Sequence, residues 1–240
     1  LGAVKKKPKA ARPFTDAATL IERVLGLSYF HPNEEGIVPI PCRHVAGTGK
    51  LVLFLGENAS GKSFARRVVT AIVRENDTEC IHISMQARAA DPMMGGGIRS
   101  FVYGTEEWQS TGENSVGTVL GGIRTCLGRE GPHVMFWDEP DIGLSDSWAA
   151  GVGVAVRDFV RDATDLTKAV FVVTHSKPLV SQLAELNPYV VFFGDGELPE
   201  DLKAWTDRPI VARDIETLGK ASHRRFLLIE AILKRVRAER

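Results

Sequence analysis

From residue 50 onward the chain alternates between two hydrophobic patterns. Short, nearly unbroken apolar runs occur at 50–55 (KLVLFL), 79–85 (ECIHISM), 133–137 (HVMFW), 169–173 (AVFVV) and 189–193 (YVVFF). Runs of this length, rich in β-branched and aromatic residues, predict strands covered on both faces, as in a parallel sheet. Between them the segments 61–75, 113–127, 146–163 and 177–185 are predicted helices. The alternation of strand and helix predicts an α/β fold, a mostly parallel sheet flanked by helices.

The flanks read differently. Residues 15–26 predict a helix with Thr15 as cap and Leu20, Ile21, Val24 and Leu25 as its apolar stripe. Pro32, Pro39 and Pro41 then break the chain into loops with short strands. A last helix is predicted over 221–237, with Phe226, Ile229, Leu233 and Val236 on one face. Residues 87–112 hold Met93, Met94, three consecutive glycines, Tyr103 and Trp108, and read as loop-rich. A stretch that long without regular structure is usually functional. No internal repeat is visible. The expected organisation is a flexible basic lead-in over 1–13 and one domain over 14–240.

Composition narrows the class. The chain is 44% hydrophobic and 25% charged, enough for a substantial core. Its 30 basic and 30 acidic residues cancel, so bulk charge does not advertise nucleic acid or membrane. The bases are unevenly placed, however: Lys5, Lys6, Lys7, Lys9 and Arg12 at one end, Arg224, Arg225, Lys234, Arg235, Arg237 and Arg240 at the other. Both are candidate partner contacts, and equally a solvated tail and an ordinary surface helix. Cys42, Cys80 and Cys126 show neither metal spacing nor a disulfide framework. With no signal peptide and no apolar run of membrane-spanning length, the expected location is the cytoplasm.

The chemistry starts at GENASGKS, Gly56 to Ser63, which fits the P-loop pattern G-x-x-x-x-G-K-[ST] directly after a strand and before a helix. Gly56 and Gly61 permit the backbone turns that aim N–H groups inward. Glu57, Asn58, Ala59 and Ser60 form the loop between them. The helix N-terminus adds a positive dipole, Lys62 a compact charge for the β- and γ-phosphates, and Ser63 a hydroxyl for Mg²⁺. A second piece is HVMFWDEPDIGLSD, an apolar strand ending in Asp138, placed to hold Mg²⁺ through water, and Glu139, placed to polarise an attacking water. A third is VFVVTHSKP, where His175 follows a strand and could bond a γ-phosphate or its attacking water.

Taken together these residues resemble the ABC-type ATPases, over roughly 51–187. GENASGKS corresponds to Walker A, VMFWDEP to Walker B and VVTHS to the switch histidine. Gln86 resembles the Q-loop glutamine, which would ligate Mg²⁺, and STGE from Ser110 to Glu113 resembles the signature loop. DEPDIGLSD is similar to the RecF-like and OLD-like branch, many of whose members serve DNA maintenance or anti-phage defence. Ser145 and Asp146 depart from that branch's His-Pro. The stretch from Ser63 to STGE is too short for a transporter's helical subdomain or an SMC coiled coil. Tyr29 or Phe30 is the candidate base-stacking aromatic.

The resemblance implies a dimer sandwiching two ATPs, with Ser110 and Gly112 of each copy reaching the other's γ-phosphate. It implies Lys62, Glu139 and His175 as catalytic residues, and a separate effector protein, DNA or RNA as output. A P-loop kinase and a non-hydrolysing ATP-dependent assembly module remain alternatives, and a transporter subunit is disfavoured.

Overall fold

The computed structural model describes residues 14–84 and 110–238. Gln86 and most of the 87–112 stretch lie outside the described residues, as does the basic lead-in. Among the described residues, six strands form a single sheet: β1 (Cys42–Val45), β2 (Leu51–Gly56), β3 (Glu79–Ser84), β4 (His133–Asp138), β5 (Thr167–Thr174) and β6 (Tyr189–Phe193). Their order is β1-β6-β2-β5-β4-β3. Only the edge pair β1–β6 is antiparallel; the other neighbours run parallel.

The α-helices among the described residues are α1 (Ala17–Leu25), α2 (Lys62–Glu75), α3 (Thr111–Leu127), α4 (Asp146–Asp162), α5 (Lys177–Leu183), α6 (Leu202–Asp207) and α7 (Glu216–Ala238). Side chains of a strand alternate between faces, so an unbroken apolar run needs cover on both. Val52 and Phe54 of β2 enter one core with Val134, Phe136 and Phe171, roofed by Leu20, Ile21 and Val24 of α1 and Val69 and Val73 of α2. Leu51, Leu53 and Leu55 enter the other with Met135, Trp137 and Val172, roofed by α3, α4 and α5. In the first core Phe54 meets Phe171 and Phe193 edge-on at 5.3 and 5.1 Å, and Phe136 stacks on Phe171 at 5.2 Å. These contacts bind four parallel strands through one aromatic row.

The expected α/β sheet is therefore present, with local corrections. Asp16, not Thr15, caps α1. Its carboxylate accepts from the Thr19 N–H at 2.9 Å while the Thr19 hydroxyl returns to the Asp16 backbone, a reciprocal box that Thr15 cannot make. The helix expected from 113 begins at Thr111, because Ser110 caps it. The final helix starts at Glu216 rather than near 221, and of its predicted apolar face Phe226 is exposed, while the neighbouring Arg225 is buried. The short helix α6, capped by Asp201, was not predicted; its Asp-Leu start is the available signal.

Helix α4 packs so closely on α5 that a Cβ at Gly153 would stand 2.5 Å from the Leu179 carbonyl oxygen, whereas one at Gly151 meets nothing within 4 Å. Gly153→Ala is expected to lose about 1–3 kcal/mol by overpacking, lowering Tm by roughly 2–10 °C. Gly151→Ala should instead gain about 0.5–1 kcal/mol of helix propensity. Paired thermal melts check both; equal shifts for the two would refute the close approach.

Candidate functional site

Register brings the strand ends to one edge. Leu55 of β2 pairs with Thr174 of β5, Val173 of β5 with Asp138 of β4, and Asp138 with Ser84 of β3. Because β5 lies between β2 and β4, its C-terminal end sits between the phosphate loop and the acids. A crevice at the carboxyl ends of parallel strands is where ligands bind in open α/β sheets.

The loop from Gly56 to Ser63 turns tightly here. Gly56 has φ 152°, and a Cβ there would lie 2.3 Å from the Phe193 carbonyl oxygen. Gly61, at φ 108°, lies under Ile40, whose Cγ2 would be 2.7 Å from an added Cβ. Neither position accepts another residue without a shift. Among the described residues no side chain caps the N-terminus of α2, whose N-cap is Gly61, so its first N–H groups are open to an anion. Lys62 is buried, and its amine donates to the Gly56 and Glu57 carbonyls at 2.7 and 2.8 Å. Burial lowers its pKa, opposed by the charges of Glu139, Asp138 and Glu57. The registers of β2, β5 and β4 bring loop, lysine and both acids to one end of the sheet.

Asp138 is buried and lies 3.3 Å from Arg66 Nε, an ion pair whose N–H is not aligned for a hydrogen bond. Burial raises its pKa, with Arg66 the largest opposing influence. Arg66 follows Lys62 by four residues on α2 and so shares its face. That spacing is the signal sequence reading passed over. Glu139 adopts a left-handed φ of 53°, and its N–H bonds the Val173 carbonyl at 2.8 Å. Its carboxylate lies 3.7 Å from Nδ1 of the exposed His175. Thr174 donates to Asp141 at 2.8 Å and accepts from the Ser176 N–H, which locks the end of β5 to the loop after β4. Asp141 was also missed.

The predicted residues do not all converge. Gly56 through Ser63, Asp138, Glu139 and His175 gather at the sheet edge. Ser110 and Gly112 belong to the start of α3, which packs on the loop after β4. Ser110 caps α3, accepting from the Glu113 N–H, while Glu113 accepts from the Ser110 N–H at 2.7 Å. Those bonds lower the Glu113 pKa. STGE is thus a capping box in its own right. A Cβ on Gly112 would lie 2.9 Å from the Gly143 carbonyl oxygen, so the glycine lets α3 approach that turn. A cleft of about 720 Å³ opens there, away from the phosphate loop, lined by Glu113, Val116, Leu120, Leu144 and Trp148. Phe30 is buried in the core, and Tyr29 packs edge-on against Phe64 at 4.8 Å; Phe30 is therefore withdrawn as a stacking platform.

The donor set suits Mg²⁺ with a nucleotide. The Ser63 hydroxyl and the Asp138 carboxylate are hard oxygen ligands, and Mg²⁺ takes few protein ligands when phosphates supply the rest. Among the described residues no cluster of three His, Cys, Asp or Glu could hold a metal alone. None of the described helices is long and apolar enough to cross a membrane.

Loop, sheet order and acids define the class: an α/β fold with a P-loop at the carboxyl end of a central parallel strand. No protein-family profile and no curated protein matches the chain. Solved structures with some similarity include the complex of archaeal ribosomal stalk protein aP1 and archaeal ribosome recycling factor aABCE1, at 16% identity and TM-score 0.40. Another is Cdc6p from Pyrobaculum aerophilum, at 14% and 0.37. The matches cover 71% and 72% of this chain, which spans 43% of the length of each matched chain. At those TM-scores the likeness carries no argument, and the class rests on the loop geometry and sheet order.

One group of the neighbourhood titrates in an accessible range. His82 on β3 has its pKa pushed down to about 4 by burial and then by Arg66 and Arg74, and its Nε2 has no hydrogen-bond partner among the described residues. The unfolded chain, with His near 6.5, binds that proton more tightly. Stability is therefore complete above pH ~6.5 and falls as pH drops toward 4. His82→Leu is expected to flatten that part of a urea-midpoint profile; an unchanged profile would remove His82 as its cause.

Proposed function

We propose that the chain is an ATP-hydrolysing nucleotide switch of ABC type, closing as a dimer around ATP and passing its state to a separate effector protein or nucleic acid. The observation that carries the hydrolytic part is the strand register that ends β2, β5 and β4 together, bringing the loop of Lys62 to the end of the sheet that holds Asp138 and Glu139, with His175 Nδ1 3.7 Å from the Glu139 carboxylate.

Each group has a task its position supports. The loop N–H groups and the α2 N-terminus would hold phosphate oxygens, and Lys62 would leave its two loop carbonyls to bind them. Ser63 and, through water, Asp138 would hold Mg²⁺, which neutralises charge on the phosphates. Asp138 would then loosen its pairing with Arg66. Glu139 would take a proton as water attacks the γ-phosphorus, the new P–O bond forming as the bond to the ADP oxygen breaks. His175 would hold Glu139 or the attacking water in line. Gln86 is proposed as a further Mg²⁺ contact and Ser110 and Gly112 as contacts to the partner copy's γ-phosphate, all by resemblance. The exposed Leu120 and Trp148, beside Ser110, suit the face a second copy would cover.

A role in defence or DNA maintenance rests on the resemblance alone. A kinase would release no phosphate without an acceptor, and adjacent Asp138 and Glu139 suit attack by water better. A non-hydrolysing assembly module would bind ATP yet release none.

The test is Glu139→Gln. Phosphate release from Mg-ATP is expected to fall by about 10²-fold or more, and the variant to elute as a dimer in ATP on a sizing column. A variant that turns over at the wild-type rate contradicts the assignment of Glu139; one that stays monomeric with ATP contradicts the switch.

A further inference from the structure

Helix α7 is exposed at every position from Glu216 to Arg224, yet Arg225 is 8% exposed. A buried guanidinium is costly unless its donors are met. Here three separate segments meet them: the Pro39 carbonyl at 2.8 Å, Asp195 at 2.8 Å and the Ala59 carbonyl at 3.4 Å. Pro39 precedes Ile40, which packs against Gly61, and Asp195 follows β6, whose Phe193 carbonyl crowds Gly56. The arginine thus joins both supports of the phosphate loop to the loop itself. Arg213, ahead of α7, reaches the same loop through Glu57 at 2.8 Å.

The Ala59 contact has a directional consequence. In a trans peptide the carbonyl and the following N–H point to opposite sides. The Ser60 N–H faces the Glu57 carbonyl oxygen at 3.4 Å, the same oxygen that the Lys62 amine reaches at 2.8 Å. On the nucleotide reading of the loop, the side of the Lys62 amine is the phosphate side. Arg225 holds the other end of the same peptide plane from outside. Ala59 itself sits in the left-handed region at φ 59°, a conformation that needs such support in a residue with a side chain.

We propose that Arg225 is a positioning residue for the phosphate loop, fixing the Ala59–Ser60 peptide with its N–H inward and thereby linking the docking of α7 to nucleotide binding. This rests on the nucleotide reading of the loop. Linkage is reciprocal: a helix that orders the loop for phosphate is itself held more firmly when phosphate is bound. Among the described side chains of α7 other than Arg225, Ile229 packs partly against the core, and Leu218, Phe226 and Leu227 are exposed. Its attachment is therefore weak enough for nucleotide to alter.

The experiment titrates Mg-ATP calorimetrically into wild type, Arg225→Met, Arg225→Lys and Asp195→Asn, and follows amide exchange of α7 in wild type with and without ATP. Arg225→Met is expected to raise Kd about tenfold, the loss of a charged hydrogen bond. Arg225→Lys should recover part of it, and Asp195→Asn, which spares the Ala59 contact, should stay within about threefold of wild type. ATP should slow exchange in α7 of the wild type severalfold. A folded Arg225→Met with wild-type Kd, or Asp195→Asn as weak as Arg225→Met, overturns the proposal. If Arg225→Met does not fold, α7 exchange in wild type that ignores bound ATP overturns it just as well. Wild type that binds no ATP overturns the phosphate-site reading itself and this inference with it.

Discussion

Leu51 to Leu55 are buried without a polar break, and that one constraint orders the rest. Such a strand needs neighbours on both edges and cover over both faces. The structure provides β5 and β6 on either side, α1 and α2 above Val52 and Phe54, and α3, α4 and α5 below Leu51, Leu53 and Leu55. Once β2 is central and parallel, its C-terminal end must open onto the edge where β4 and β5 also end. The phosphate loop, the acids and the histidine are then neighbours by topology.

Charge at that edge is balanced internally. Lys62 is bound to carbonyls of its own loop, Asp138 is paired with Arg66, and Glu139 stands beside His175. A buried lysine and a buried aspartate are tolerable only with such partners. Phosphate and Mg²⁺ would replace them group for group, so binding exchanges one set of ion contacts for another. Burial pushes the Cys42 thiol up to about 11 and the Cys126 thiol to about 12, and raises Cys80 as well, which disfavours the thiolate at all three.

Much of this was legible in the sequence. The strand runs and the Gly56–Ser63 pattern are local signals, and each fell within a residue or two of its element. Asp138, Glu139 and His175 were legible because each ends an apolar run. What was not legible depends on distant chain. Arg225 is buried because Pro39, Ala59 and Asp195 converge on it, and no local pattern encodes that meeting. The apolar stripe expected on α7 misled for the same reason: Phe226 faces solvent because the neighbouring arginine has acceptors and the phenyl ring has none of the core to enter. STGE reads equally as a signature loop or a capping box, and the capping bonds alone account for Ser110 and Glu113. Gly112 is explained by the turn at Gly143. Gln86, outside the described residues, rests on resemblance.

The central claim is that the loop from Gly56 to Ser63 holds the phosphates of ATP. Calorimetric titration of Mg-ATP into wild type and Lys62→Ala tests it most directly. The account predicts saturable one-to-one binding that Lys62→Ala weakens at least about tenfold, the cost of a lost charged contact. Binding of equal strength in both proteins, or none in the wild type, would contradict it.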